Sequence, residues 1–141
     1  MAEIKGDYHE PINNALEDGT PCLVGTVSAD NGPEISPKGS VVVYDAETIA
    51  YWERSNRGAA SNIQANPRVV IYYRNPGRAE SLPQGAALRL YGAAGVVADD
   101  AVKNAIYDMI PEREQNSDAD RNGHAVLVRI DRVTSLRGDD V

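Results

Sequence analysis

The chain has 141 residues, enough for one domain with a core of its own. Apolar residues make up 42% and charged residues 25%, a globular balance that excludes disorder or a collagen-like repeat as the main state. Fourteen Lys and Arg stand against 21 Asp and Glu, so the net charge of −7 opposes general attraction to nucleic acid or to an anionic membrane, and any bound anion must meet a local basic cluster.

Apolar runs such as Ser40 to Tyr44 and Ala125 to Val128 fall far short of the ~20 residues a membrane helix needs. Met1 to Tyr8 is charged and polar, with neither an apolar segment nor a small-residue cleavage site, and a cytoplasmic location is expected. Cys22 is the only cysteine, which excludes an intramolecular disulfide and a Cys-rich zinc site. The aromatic set has no Phe, seven Tyr and one Trp, so most rings carry a polar tip. Such rings suit a ligand pocket or an interface, or equally the rim of a small barrel with the hydroxyls in solvent.

In chain order, Ile12, Ala15 and Leu16 fall at i, i+3 and i+4, with Pro11 near the first turn and Gly19 beyond, which predicts a short helix. Cys22 to Ser28 reads as a strand, Ala29-Asp30-Asn31-Gly32 as a hairpin turn, and Glu34 to Tyr44 as the returning strand, with Pro37 confined to an edge or a bulge. Asp45-Ala46-Glu47 forms a second tight turn before a strand over Thr48 to Arg54. Arg57 to Ala65 is helix-compatible and stops at Asn66-Pro67, and Arg68 to Arg74, with its unbroken apolar middle, reads as a buried strand.

Asn75 to Gly85 holds two prolines and two glycines and reads as a loop. Ala86 to Ala98 reads as a long strand bent near Gly92 and Gly95. Asp99 or Asp100 then caps a helix whose apolar stripe is Val102, Ile106 and Met109, and that stripe is read as core. Glu112 to Gly123 is polar and expected to be exposed, His124 to Thr134 alternates as the last strand, and Leu136 to Val141 is a polar tail. Six strands and about three short helices at hairpin spacing predict one mainly β domain over residues 1–141, a small antiparallel barrel.

Phosphate-cradling glycine motifs and a nucleophile elbow are absent, and Cys22 within an apolar strand reads as inert packing. His9 and His124 stand at no metal-ligand spacing, and Asp118 to Gly123 begins like a calcium loop but has Arg129 at the twelfth position, so it reads as a turn-rich loop. What remains is a polar and basic set around the third strand. Lys38 and Arg57 offer charge, Ser36, Ser40, Ser55 and Asn56 offer neutral donors, Gly39 and Gly58 permit close backbone approach, and a helix starting near Arg57 adds its positive end. A phosphate suits this set; from spacing alone, solvated charges on an edge strand and a loop suit it as well.

Gly32-Pro-Glu-Ile-Ser-Pro-Lys-Gly-Ser40, Tyr51-Trp-Glu-Arg-Ser55, Arg57 and Asn62-Ile-Gln-Ala-Asn-Pro-Arg-Val-Val70 together resemble the flavin-binding proteins related to pyridoxamine 5′-phosphate oxidase, with further likeness in Leu88 to Ala94 and Val126 to Val133. The resemblance covers about Thr20 to Leu136 and implies a Greek-key split β-barrel, a homodimer, and FMN at the subunit interface. Carried over by position, it implies cofactor binding by Ser36, Pro37, Lys38, Gly39, Ser40, Trp52, Ser55, Asn56 and Arg57, with Asn62 and Arg89 as further candidates. The family often sets a Lys or Arg slightly closer to the Asn-Pro pair than Arg57 stands. The chain also ends without the family's Trp, Arg and His substrate stretch, which speaks against vitamin B6 synthesis.

The implied activity is therefore flavin-dependent oxidoreduction of an unidentified small molecule, with the chemistry carried by the cofactor and no catalytic side chain assigned. Three alternatives remain open at this point: a deazaflavin enzyme of the same fold, a non-catalytic flavin or heme binder, and a cofactor-free dimeric barrel acting through its tyrosine-rich surface.

Overall fold

The structure, a computed structural model, describes residues 2–141. Seven antiparallel strands form one sheet: β1 (Cys22–Val27), β2 (Pro33–Lys38), β3 (Val42–Asp45), β4 (Thr48–Glu53), β5 (Arg68–Arg74), β6 (Ala87–Val96) and β7 (His124–Thr134). Their order across the sheet is β2-β1-β5-β6-β7-β4-β3. Four α-helices accompany them among the described residues, α1 (His9–Asn13), α2 (Ala59–Ala65), α3 (Asp100–Met109) and α4 (Glu112–Asn116), with single 3-10 turns at Gly6–Tyr8, Pro76–Arg78 and Pro83–Gly85. No helix among the described residues is long and apolar enough to cross a membrane.

The mainly β class and the antiparallel barrel agree with the sequence reading; the strand count does not. The single strand expected over Glu34 to Tyr44 is two strands, and these lie at opposite edges of the sheet. Lys38 ends β2 and Val42 begins β3, so the connection spans at most ~14 Å. A flat sheet of this order would hold its edges ~29 Å apart, six strand spacings of ~4.8 Å. The short connection therefore requires the sheet to curl until its edges nearly meet, which makes it a split barrel. Pro37 lies on edge strand β2, where its missing N–H costs no ladder bond.

Residues of alternating parity divide the two faces. Val24, Ile49, Tyr51, Ile71, Tyr73, Leu90, Val126 and Val128 fill the barrel, and Ile4, Tyr8 and Ile12 from the N-terminal segment join the same core. Three tyrosines, Tyr8, Tyr51 and Tyr73, are thus fully buried, which neither reading of the tyrosine content anticipates. Tyr8 donates its hydroxyl to the Pro83 carbonyl and meets Tyr73 edge-on, 5.9 Å between centroids. Cys22 is buried as expected, and that burial pushes its thiol up to about 12, so the group stays protonated and inert.

On the outer face, α3 covers Val42, Ala50, Trp52 and Ala125. Asp99 caps this helix, its carboxylate accepting from the N–H groups of Ala101 at 2.8 Å and Val102 at 3.1 Å. The buried face is Ile106, Tyr107 and Ile110 with Val102 half-buried, whereas Met109 is 40% exposed, because at about 100° per residue it falls beside Val102 beyond the margin of that face. The polar stretch after α3 is not wholly loop: Glu112–Asn116 forms α4, pinned where Gln115 Nε2 donates to the Tyr107 carbonyl at 2.8 Å and Tyr107 Oη donates to that of Gln115 at 2.7 Å.

Candidate functional site

The ends of β2 and β4 meet at the barrel seam, and the loop after α4 folds over them. The result is a cleft of about 550 Å³ lined by Pro37, Lys38, Trp52, Glu53, Arg54, Ser55, Glu114, Ser117 and Asp118. Four residues expected from the sequence, Pro37, Lys38, Trp52 and Ser55, thus share one cavity. Glu53, Arg54, Ser117 and Asp118 were not singled out as site residues; Glu53 and Arg54 lie within the Tyr51 to Ser55 run, and only the folded chain brings Ser117 and Asp118 to it.

Lys38 does not stand as a lone cation. Its Nζ lies 2.9 Å from Glu53 Oε1, in hydrogen-bonding alignment, and 2.9 Å from Oε2, with side-chain exposures of 15% and 6% for the two residues. A pair this sheltered keeps most of its attraction, and removing one partner strands the other. Ser40 is likewise engaged: buried, its Oγ accepts the Trp52 N–H at 2.9 Å and donates to the Trp52 carbonyl at 3.1 Å. Gly39 sits where a Cβ would stand 3.0 Å from Leu16 Cδ1 and 3.2 Å from Glu114 Cδ, so its role is close packing.

The Trp52 ring is buried edge-on against Tyr107 with the Lys103 ammonium 5.5 Å from its centroid. Its Nε1–H donates to Asp118 Oδ2 at 2.8 Å. Asp118 also accepts from the N–H groups of Gly123 at 2.8 Å and Asn122 at 3.1 Å. Burial pushes this carboxyl up, but the three donors and the charge of Arg54 outweigh it and hold it below the usual carboxylate range. The loop that resembled half a calcium site is therefore tied to the barrel through Asp118.

Ser55 Oγ accepts the Arg57 N–H at 3.0 Å, which folds the exposed turn after β4, and Asn56 Oδ1 lies 3.0 Å from His124 Nε2. Arg54 and Arg57 are exposed and join no ion pair among the described residues. The other candidates lie apart. Ser36 is half-buried on β2 opposite Val24. Asn62 Nδ2 donates to Thr26 Oγ1 at 2.9 Å and to Glu34 Oε2 at 2.7 Å. That same Glu34 oxygen stands 3.5 Å from where a Cβ on Gly58 would be, so a carboxylate occupies the region where the positive start of α2 was expected to meet a phosphate.

Arg89 belongs to the outer face of β6, where its Nη1 donates to the Leu136 carbonyl at 2.9 Å. It borders an apolar groove of about 390 Å³ formed by Leu23, Ile35, Val70, Tyr72 and Tyr91, with Ile35 71% exposed. One molecule thus presents a polar cleft at the seam and an uncovered apolar face on the sheet.

Comparison with known proteins places this architecture. The structure of HupZ from Group A Streptococcus is similar over 98% of both chains, with a TM-score of 0.75 and 22% identity. An FMN-binding protein from Syntrophomonas wolfei matches 92% of this chain with 86% of its own, at TM-score 0.65 and 10% identity. HutZ, the heme storage protein from Vibrio cholerae, matches 90% of this chain with 94% of its own, at TM-score 0.63 and 19% identity. At these identities the likeness is one of fold. No curated protein matches the sequence. The sequence model described as pyridoxamine 5′-phosphate oxidase matches residues 9–137, from α1 through the end of β7 and into the tail. Since that match runs through nearly every element of the curled sheet, the chain belongs to the pyridoxamine 5′-phosphate oxidase family.

Proposed function

We propose that the chain is a homodimeric, FMN-binding oxidoreductase acting on an unidentified small molecule, with each flavin held between subunits. The observation that carries this reading is the separation, on one protomer, of the polar seam cleft from the apolar face of β1, β5 and β6. A mononucleotide with a fused ring system needs both kinds of surface, and pairing two copies is the simplest way to bring one chain's cleft to another's apolar face.

The residues fit FMN with one reassignment. Lys38 and Ser40 are engaged within the chain, whereas Arg54 and Arg57 stand unpaired on the turn after β4 and suit a dianionic phosphate. Ser55 offers its hydroxyl to the ribityl chain, Ser117, whose own proton goes to the Arg113 carbonyl at 3.0 Å, offers an acceptor, and Pro37 lines the cleft. The bound flavin would supply electron transfer; the protein's part is to hold and orient it. The expected cytoplasmic location belongs to the same proposal and is checked by fractionation of cells.

The test is titration of the purified protein with FMN and with riboflavin, followed by absorption and flavin fluorescence, alongside sizing. FMN binding by a dimer is expected. Removing Arg54 or Arg57 by substitution with Ala should weaken FMN about tenfold or more each and leave riboflavin unchanged. Failure of the wild-type dimer to bind FMN would overturn the proposal.

A heme-binding role is the second reading, favoured by the apolar groove of Leu23, Ile35, Val70, Tyr72 and Tyr91 with Arg89 at its border, a surface for a large apolar ring with a cation beside it for a carboxylate. Hemin in place of FMN in the same titration, read by a shift of its intense near-ultraviolet band, separates the two.

A further inference from the structure

The inner end of the cleft carries a contact that the flavin reading does not use. Glu53, 4% exposed, reaches across the seam from β4 to Lys38 on β2, and both carboxylate oxygens lie 2.9 Å from the amine. Lys38 Nζ also stands 6.0 Å from the centroid of the Tyr51 ring, whose buried hydroxyl has no hydrogen-bond partner among the described residues. Among the described residues, the cation at the inner end is thus paired with an anion that cannot easily be left alone. A phosphate reaching Lys38 would have to displace a nearly buried carboxylate and then sit beside it, two like charges in a poorly solvated place.

We propose that Glu53 determines which anionic ligands the cleft accepts: by holding Lys38 it excludes a phosphate from the inner end, so that a bound mononucleotide turns its phosphate outward to Arg54 and Arg57. This rests on the flavin reading above. Glu53 is here an internal competitor for Lys38, and its neutral isostere should release that cation to ligand.

The experiment compares wild type with Glu53→Gln in titrations with FMN and riboflavin, which differ only in the phosphate. Glu53→Gln is expected to raise FMN affinity about tenfold, with riboflavin unchanged within twofold. The double variant Lys38→Gln with Glu53→Gln removes both charges and should lose that gain. An unchanged or lowered FMN affinity in a folded Glu53→Gln protein would overturn the proposal.

Two further readouts keep the question decidable. Should Glu53→Gln fail to fold, acylation of Lys38 in the wild-type protein, followed by mass spectrometry, replaces it. Equal protection of Lys38 by FMN and riboflavin is then expected, and stronger protection by FMN overturns the proposal. Should no flavin bind at all, inorganic phosphate serves as the probe. It should raise the melting temperature of Glu53→Gln more than that of wild type, where Arg54 and Arg57 alone would hold it, and equal responses would refute the role of Glu53 separately from the flavin reading.

Discussion

Ser40 and Trp52 are bonded twice through a single hydroxyl, Ser40 Oγ accepting the Trp52 N–H and donating to the Trp52 carbonyl. Val42 stands opposite Ala50 in the β3–β4 ladder, so Ser40 is opposite Trp52 in the continued register. At that point the backbone is already turning toward β2, and the side chain makes the two bonds that the backbone would have made. Together with the Lys38–Glu53 pair, this closes the seam between the sheet's two ends.

Ser40→Ala should therefore act on stability rather than on ligand. It leaves a buried N–H and a buried carbonyl without partners, a loss of roughly 2–3 kcal/mol. Urea unfolding should show a lower midpoint with an unchanged slope, while the flavin affinity of the folded protein stays within twofold.

Asp118 makes stability depend on acid pH. Its carboxyl is held below the usual range in the folded chain, so between the folded and unfolded values the unfolded state binds more protons. The stabilisation is fully present above the unfolded value near pH 4 and is lost as pH falls through the lower folded value. Urea midpoints measured from pH 5 downward should fall less steeply in Asp118→Asn than in wild type. Equal slopes would mean that the Trp52 and Gly123 contacts do not hold the charged form.

Gly92 sits at the register shift between β6 and β7, where a Cβ would stand 2.2 Å from the Arg129 carbonyl oxygen and 2.9 Å from Val128 Cγ1. Neither the backbone of a central ladder nor a buried valine can yield by that much. Gly92→Ala should cost roughly 3 kcal/mol or more, or prevent folding. Gly95→Ala on the same strand meets nothing within 4 Å and should leave the unfolding midpoint close to wild type.

The proposed dimer is tested at Val70, half-buried beside Leu23, Tyr72 and Tyr91 on the uncovered sheet face. An aspartate there would put a charge into the apolar face that the second copy and the flavin ring must cover. Sedimentation should show a dimer for wild type and a monomer for Val70→Asp, with the far-ultraviolet circular dichroism of both alike. A monomeric wild type would remove the interface on which the flavin proposal depends.

Much of the fold was legible because it is written in local periods. The alternation in His124 to Thr134, the apolar middle of Arg68 to Arg74 and the Asn31-Gly32 turn each specify their element within a few residues, and β7, β5 and the β1–β2 hairpin follow. The break inside Glu34 to Tyr44 was not legible. Residues on both sides of Gly39 to Val41 are extended, and what separates β2 from β3 is the curl of the whole sheet, which brings distant edges together and forces the chain to change sides.

The candidate site divides in the same way. Hydrophobic period and turn chemistry, which act over neighbouring residues, were enough for the antiparallel barrel and for grouping Lys38 and Ser55 around one strand, and the family resemblance added Trp52. Only the tertiary structure decided that Glu53 takes Lys38, that Ser40 serves the backbone, and that Asp118 completes the cleft. Charge pairing and burial are set by distances between residues far apart in the chain, and a charge that reads as available in the sequence is available only if folding brings it no partner.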